Sequence, residues 1–320
     1  MKNKRPYIYL AIAVVAALIV LAIESPRISR VSDVGDGYFI PDYATSDVAT
    51  VEVAQLINGV RLARDGEEWL VSDFTTPMKQ TLLEKEGRKI ETPRRYAADS
   101  SRVENALGAF GGLEEGVLVS DNPEKQRFYR VGPAGLRVKG MDADGKTIFD
   151  IVIGKNGPDM ASTYIRNAHE DKVYLVHRSL LGAFSTRVDD WRSKLIWNLH
   201  PKQIGRVEIA SGDKKVIARR DPDGAWKIVE SSDPKFDQKR LEKVLDRLRA
   251  VRAAGIANVT DRVATGLGDP DAVVRLTTRD GEDFILDIGK TTKTGKYFAR
   301  REGDEDVYLL SKGFVDSIQP

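Results

Sequence analysis

The sequence predicts an α+β chain: an N-terminal transmembrane helix, then two tandem repeats of a mainly antiparallel β-sheet domain, each with a covering helix. Three observations predict it. The first is repetition. VEV at Val51 followed by GEEWLV is answered by VEI at Val207 followed by DGAWKIV, and DSSRVENALGAF at Asp99 by DQKRLEKVLDRL at Asp237. The strand pairs ending DIVIGK at Lys155 and ILDIGK at Lys290 match, as do YIR…KVYLV and YFAR…DVYLL. An offset of roughly 135–155 residues is too long for a solenoid and fits a duplicated domain. The second is the density of tight-turn signals between short apolar-alternating runs, with one helix-periodic run per copy. The third is an uncharged run from Tyr7 to Ile23.

That run sits near the lower end of the roughly 17–25 residues that span a bilayer. Lys2, Lys4 and Arg5 precede it, and Arg27 and Arg30 follow further away. The bias keeps residues 1–6 cytoplasmic and exports the rest, with 7–24 as an uncleaved signal anchor. The apolar core is long for a signal peptide, and IESPRISR after it offers no small-x-small cleavage site. Absence of Cys excludes a lipoprotein anchor, disulfides and thiolate metal sites. The formal charge is +2, three cations of which sit before the anchor. The remainder is a mixed-sign surface, unlike a nucleic-acid binder.

Residues 25–49 read as a juxtamembrane linker, whose Tyr38, Phe39, Ile40 and Tyr43 are available to pack on the first domain or a partner. The first domain spans 50–200. It opens with a predicted hairpin at Asn58-Gly59 and a turn at Asp65-Gly66 into the strand of Trp69. Its helix is capped at Asp99 or Ser100, with Val103, Ala106, Leu107 and Phe110 buried and Gly111-Gly112 ending the run. A hairpin at Asp144-Gly145 and the strands of Tyr164 and Tyr174 follow, then a helical close, SLLGAFSTRVDDWRSKLIWNL. The second domain, 201–320, repeats the plan. Asp223-Gly224 leads to Trp226. Asp237 caps a helix with Leu241, Val244, Leu245, Leu248 and Val251 inward, ended by Gly255. Asp280-Gly281 turns the next hairpin, before the strands of Tyr297 and Tyr308. Trp69, Trp226, Tyr164, Tyr297, Tyr174 and Tyr308 are expected to form the repeated core.

The copies differ in an insertion, residues 75–97, rich in cations. Lys79, Lys85, Arg88, Lys89, Arg94 and Arg95 are the candidate partner-binding residues, available to an acidic protein or lipid headgroups. Elsewhere motifs fail. Gly289-Lys290-Thr291 lacks the phosphate-loop glycine, since Phe284 stands five residues earlier, and it lies between strands; its twin, Gly154-Lys155-Asn156, lacks the hydroxyl. His169 and His177 bracket a strand too far apart to share a metal, and His200 is alone. No cofactor or catalytic residue is expected.

Taken together, these residues resemble the family known as domain of unknown function 4340. The resemblance lies in Gly66 to Trp69, Asp144-Gly145, Ile153-Gly154, Tyr164 to Arg166, Val173 to Val176 and Arg192 to Lys194. Trp226, Asp280-Gly281, Ile288-Gly289, Tyr297 and Val307 to Leu310 match in the second copy, which lacks the closing R-x-K helix. The resemblance implies a single-pass bacterial inner-membrane protein associated with a gliding-motility-type ABC exporter, anchored in the bilayer through 7–24. Its partners would be the transporter permease and other envelope proteins, with ATP hydrolysis in a separate subunit. It implies no catalytic residue. The alternative is an envelope glycan-binding protein or hydrolase with an unassigned carboxylate site and Trp69 or Trp226 as a stacking platform.

Overall fold

A computed structural model describes residues 39–320 except 41–42, 115 and 260. The expected anchor at 7–24, and Tyr38, lie outside the described residues. Among the described residues no helix is long and apolar enough to cross a membrane. The chain divides into two compact units between Ser193 and Lys194.

Unit 1 runs β1 (Thr50–Gln55), β2 (Asn58–Asp65), β3 (Glu68–Asp73), α1 (Pro77–Lys85), β4 (Arg95–Ala97) and α2 (Ser100–Gly108). Then come β5 (Val117–Ser120), α3 (Gln126–Tyr129), β6 (Leu136–Met141), β7 (Thr147–Asn156), β8 (Thr163–Asn167), β9 (Val173–Val176) and α4 (Val188–Trp191). Its strands form one sheet in the order β4-β3-β2-β1-β6-β7-β8-β9-β5. Unit 2 runs β10 (Leu195–Asn198), β11 (Ile204–Ser211), β12 (Lys214–Arg220), β13 (Trp226–Ser231), α5 (Gln238–Leu248), β14 (Ala250–Arg252) and β15 (Gly255–Ile256). It ends with α6 (Arg262–Thr265), β16 (Ala272–Thr278), β17 (Asp283–Thr291), β18 (Tyr297–Arg301), β19 (Tyr308–Leu310) and α7 (Lys312–Ile318). Its main sheet is β13-β12-β11-β16-β17-β18-β19-β15. Strand for strand this repeats unit 1, with β4 the extra member, and the pairings are antiparallel.

One face of each sheet is apolar because alternate residues point the same way. In unit 1, Val51, Val53, Val138, Ile151 and Ile153 meet Val103, Ala106 and Leu107 of α2. In unit 2, Val207, Ile209, Val274 and Leu286 meet Leu241, Val244 and Leu248 of α5. Both helices are capped as expected, by Asp99 accepting from the Arg102 amide and Asp237 from that of Arg240. Phe39, Ile40 and Tyr43 join the unit 1 core, and the Tyr43 hydroxyl donates to the Leu107 carbonyl.

Several expectations need correction. The first hairpin turns at Leu56-Ile57, because Gln55 faces Asn58; Asn58-Gly59 belongs to β2. Gly59 lies beneath the Phe74 ring, so it serves packing and not the turn. Both covering helices stop early, α2 at Gly108 and α5 at Leu248, and Val251 is buried in β14. The helical close of the first copy shrinks to α4, and Leu195–Asn198 becomes a strand paired with β14. Trp197 draws it there: its indole N–H donates to the Leu248 carbonyl, an orphan acceptor at the end of α5. The unit boundary therefore precedes residue 200. Within the expected aromatic core, Trp69, Tyr164, Tyr174 and Tyr308 are buried, whereas Trp226 and Tyr297 are half-buried, packed against its margin. Tyr164 belongs to a second cluster on the opposite face of the sheet.

Trp69 is 1% exposed, and its N–H donates to Glu104 of α2 at 3.0 Å. Arg64 lies over its ring at 4.6 Å and donates to the same carboxylate at 2.7 Å. Burial alone would raise the Glu104 pKa, but hydrogen bonds from Trp69 and Thr45 and the charge of Arg64 outweigh it and hold it below the ordinary value. Its contribution is therefore complete above the unfolded carboxyl pKa and is lost as pH falls through the lower folded value. Glu104→Gln should cost about 1 kcal/mol at neutral pH, since the carboxylate is partly solvated, and flatten the acid limb of stability. Urea melts of both proteins between neutral and acid pH check this; parallel profiles would exclude Glu104 as the titrating group.

Candidate functional site

The opposite face of the unit 1 sheet is only partly covered. Tyr129 and Val131, at and after the end of α3, pack with Val152, Tyr164 and Val173. The seat of this cover is Gly154, where any side chain would collide with the Tyr129 carbonyl oxygen. Unit 2 repeats the contact between Gly289 and the Thr265 carbonyl at the end of α6. The lysine after each glycine folds onto the same short helix: Lys155 Nζ stands 3.8 Å from the Phe128 ring centroid, and Lys290 Nζ reaches the Val263 carbonyl at 3.5 Å. The repeated Gly-Lys is thus a packing element within a strand, and its glycine is closed off by backbone. Gly154→Ala and Gly289→Ala should each cost about 1–3 kcal/mol through displacement of the short helix. Thermal melts test this; a loss under about 0.5 kcal/mol would show that the helix end gives way freely.

Beside this cover lies a groove of about 450 Å³. Its floor is the outward side of β1, β6, β7 and β8. Ala54, Arg137, Val152 and Arg166 stand in one cross-strand row, and Arg61, Glu52, Lys139 and Asp150 in the next. One wall is Gly132, Pro133 and Gly135 of the loop after α3; the other is Phe74, Thr76, Pro77 and Met78, at the start of the insertion. Both walls are tied to the end of β1. Gln55 donates to the Ala134 carbonyl at 3.0 Å, and the Thr76 hydroxyl to the Leu56 carbonyl at 2.6 Å while capping α1.

The charges on the floor are ordered. Asp150 is buried and accepts two hydrogen bonds from Arg137, at 2.7 and 2.6 Å, and meets His169 Nε2 at 3.1 Å. The bond to Asp150 raises the Arg137 pKa, outweighing burial. Glu52 takes Arg61 at 2.6 Å, and Arg166 donates to the carbonyls of Val131, Asn167, Ala168 and Glu170. Lys139, cross-strand from Glu52 and Asp150, has no ion-pair partner among the described residues: Asp150 gives both oxygens to Arg137, and Glu52 gives Oε1 to Arg61. Three of the charged lining residues are cations and one is an anion.

The mouth is apolar. Leu56 and Met78 are 46% and 48% exposed, and Ile57 beside them is 43% exposed. Leu56 adopts φ 52°, a left-handed conformation costly for a bulky side chain. At the same turn unit 2 has Gly212-Asp213, with Gly212 at φ 55°. The corresponding place in unit 2, near Gly212 and Pro270, has no wall from an insertion and no cation in its lining.

The six cations expected to meet a partner are not gathered. Lys79 lies near the groove but is held by Asp73 at 2.6 Å. Lys85 is six residues further along α1, about 120° around it. Arg88 pairs with Glu86 at 3.4 Å, Lys89 is exposed beyond the helix, Arg94 lies over Tyr96 and Arg95 is on β4. The groove residues Glu52, Leu56, Arg137 and Lys139 were not singled out by the sequence; apolar Leu56-Ile57 set against Gly212-Asp213 was the available signal. Two of the three histidines meet separate acids, His169 Asp150 and His177 Asp159, and His200 accepts from the Lys202 amide. Among the described residues no three His, Asp or Glu side chains converge to hold a metal ion.

Helix α1 buries no residue, so it is a wall and not a core element. Replacing residues 77–91 with a short Gly-Ser linker should leave a cooperative melt within about 3 °C of the parent. Loss of cooperativity would instead make the insertion part of the folding unit.

A family model described as Domain of unknown function (DUF4340) matches residues 89–270 and again 226–320, together more than half of the chain. No curated protein matches. Solved structures similar to the chain include the DNA polymerase III subunit beta of Pseudomonas aeruginosa, at 8% identity and TM-score 0.15, covering 84% of this chain and 60% of that one. The beta chain from Streptococcus pneumoniae stands at 10% identity and TM-score 0.17, covering 84% and 57%. The chain thus spans about 60% of the first of these, and TM-scores this low carry no argument about fold or function.

Proposed function

The chain belongs to the DUF4340 family, and from that premise we propose that it is a non-catalytic accessory subunit of an ABC-type transporter complex, acting through protein–protein contacts. On this reading residues 7–24 anchor it in the bacterial inner membrane, the two units are extracytoplasmic and ATP is hydrolysed by another subunit. The observation that carries the contact role is the asymmetry of the duplication. Two sheets share one strand order, yet only one bears a groove walled by an insertion and edged with exposed apolar side chains. Exposed apolar clusters rimmed by charge mark interaction surfaces. An anchor also raises the local concentration of such a surface at the membrane, so modest contacts suffice. The glycan-stacking alternative loses its first platform, because Trp69 is buried and its N–H is bonded to Glu104.

Full-length tagged protein, extracted in mild detergent from its native membrane, should bring down permease and ATPase subunits in stoichiometric amounts by mass spectrometry. Recovery of the protein alone, where a control transporter stays intact, would overturn the accessory-subunit reading.

A further inference from the structure

We propose that the unit 1 groove binds an extended acidic polypeptide segment, an apolar side chain seating against Leu56, Phe74 and Met78 and a carboxylate bridging Lys139 and Arg137. The proposal deepens the protein-contact reading and does not depend on the partner being a transporter.

Charge selects the occupant. Arg137 and Lys139 are two residues apart on β6, so both project from the same face about 7 Å apart, a spacing one carboxylate can bridge. Arg137 gives Nε and Nη2 to Asp150, leaving Nη1 outside that pair, and its side chain is half-exposed. Lys139 makes no ion pair among the described residues, with Asp150 fully engaged by Arg137 and Glu52 held by Arg61 through one oxygen. The groove therefore offers two cationic donors on one face, one of them fixed in place by a buried anion, and ionised donors bond a carboxylate more strongly than neutral ones.

Shape decides between a peptide and a lipid surface. These cations lie on the floor between two walls, and Lys79, next in sequence to the lining residue Met78, is already paired with Asp73. A bilayer plane would meet the rim first; an extended chain can lie along the floor. The apolar mouth is also held firmly. Leu56 keeps its left-handed conformation because Thr76 binds its carbonyl and the β1–β2 ladder closes on Gln55 and Asn58. Strain held this way fixes a recognition surface in advance, which lowers the ordering cost of binding.

The test is selection of a random dodecapeptide phage library on the immobilised full-length protein in neutral detergent. Two variants serve for counterselection. Lys139→Glu cancels the net positive charge of the lining. The double variant Leu56→Gly/Ile57→Asp installs the turn that unit 2 already uses, so it removes the apolar mouth and relieves the left-handed strain. Enriched peptides should carry Asp or Glu within a few positions of Leu, Ile, Met or Phe. Their affinity should fall about tenfold or more in Lys139→Glu and weaken with salt, and it should fall in the turn variant despite an unchanged or higher melting temperature. No enrichment over the variants, or enrichment without acidic residues, would overturn the proposal. Protection of Lys139 from acetylation by short-chain phosphatidylglycerol, with no acidic peptide selected, would assign the groove to lipid headgroups and overturn it as well. Because the selection uses no membrane partner, its failure is distinguishable from a failed pull-down of transporter subunits.

Discussion

Both sheets depend on one close approach: a strand glycine lying against the last carbonyl of a four-residue helix. Gly154 receives the Tyr129 carbonyl and Gly289 the Thr265 carbonyl, and no side chain fits at either place. The contact fixes where the cover on the second sheet face begins and ends. In unit 1 it sets Val131, and then the loop through Gly135, directly onto Val152. Everything nearer β1 on that face stays open, and the groove is that open strip. A single missing Cβ thus divides the face into a packed part and an available part. The Gly-Lys pair that resembles a nucleotide motif takes its form from the same need, since its lysine closes over the helix that the glycine admits.

The two copies answer common problems differently. Edge strands invite unwanted pairing and are normally blunted. Unit 1 covers the edge of β3 with β4, through Leu70, Val71 and Ser72. Unit 2 lacks that strand and instead bulges β13: Ile217 and Ala218 face Glu230 and Ile228, so Val229 is left without a partner and is exposed. The third-strand tryptophans diverge with their edges. Trp69, beneath Arg64 and bonded to Glu104, is sealed; Trp226, with Arg220 at 5.9 Å, stays at the margin. These differences concern how each sheet is finished, while the strand order itself is unchanged.

The duplication, the covering helices and their Asp caps were legible because periodicity and capping are local signals that both copies state. Turns at Asp144-Gly145 and Asp280-Gly281 were legible for the same reason: glycine takes the left-handed position, at φ 79° and 87°. Asn58-Gly59 misled because its glycine is needed beneath Phe74, a contact between residues fifteen apart that no local rule contains. The strand at Leu195–Asn198 was hidden because its fate depends on an orphan carbonyl at Leu248, some fifty residues away. The groove was hidden in the same way. Its floor is assembled from β1, β6, β7 and β8, so Glu52 and Lys139 meet only through sheet register. The basic residues of the insertion stood out by composition, yet composition cannot tell a paired Lys79 from an unpaired Lys139.

The turn at Leu56-Ile57 bears most directly on selection. A left-handed leucine costs on the order of 1–2 kcal/mol, and two apolar residues at a hairpin tip that stay more than two-fifths exposed forgo much of what burial would give. The chain itself contains the inexpensive solution, Gly212-Asp213, at the equivalent turn. Stability alone would favour that solution in both copies. Its absence from the one copy that also carries the insertion ties two departures together, the strained turn and the helix that caps on Thr76, beside a floor where Lys139 makes no ion pair among the described residues while its counterpart Arg275 is paired with Asp283. Thr76 joins the two physically, since one hydroxyl accepts from the α1 amide and donates to the Leu56 carbonyl. The insertion therefore does not merely sit beside the turn; it binds the backbone of the turn whose apolar side chains edge the groove. A duplicated sheet that is strained and walled in one copy has been altered at a surface, not in its core.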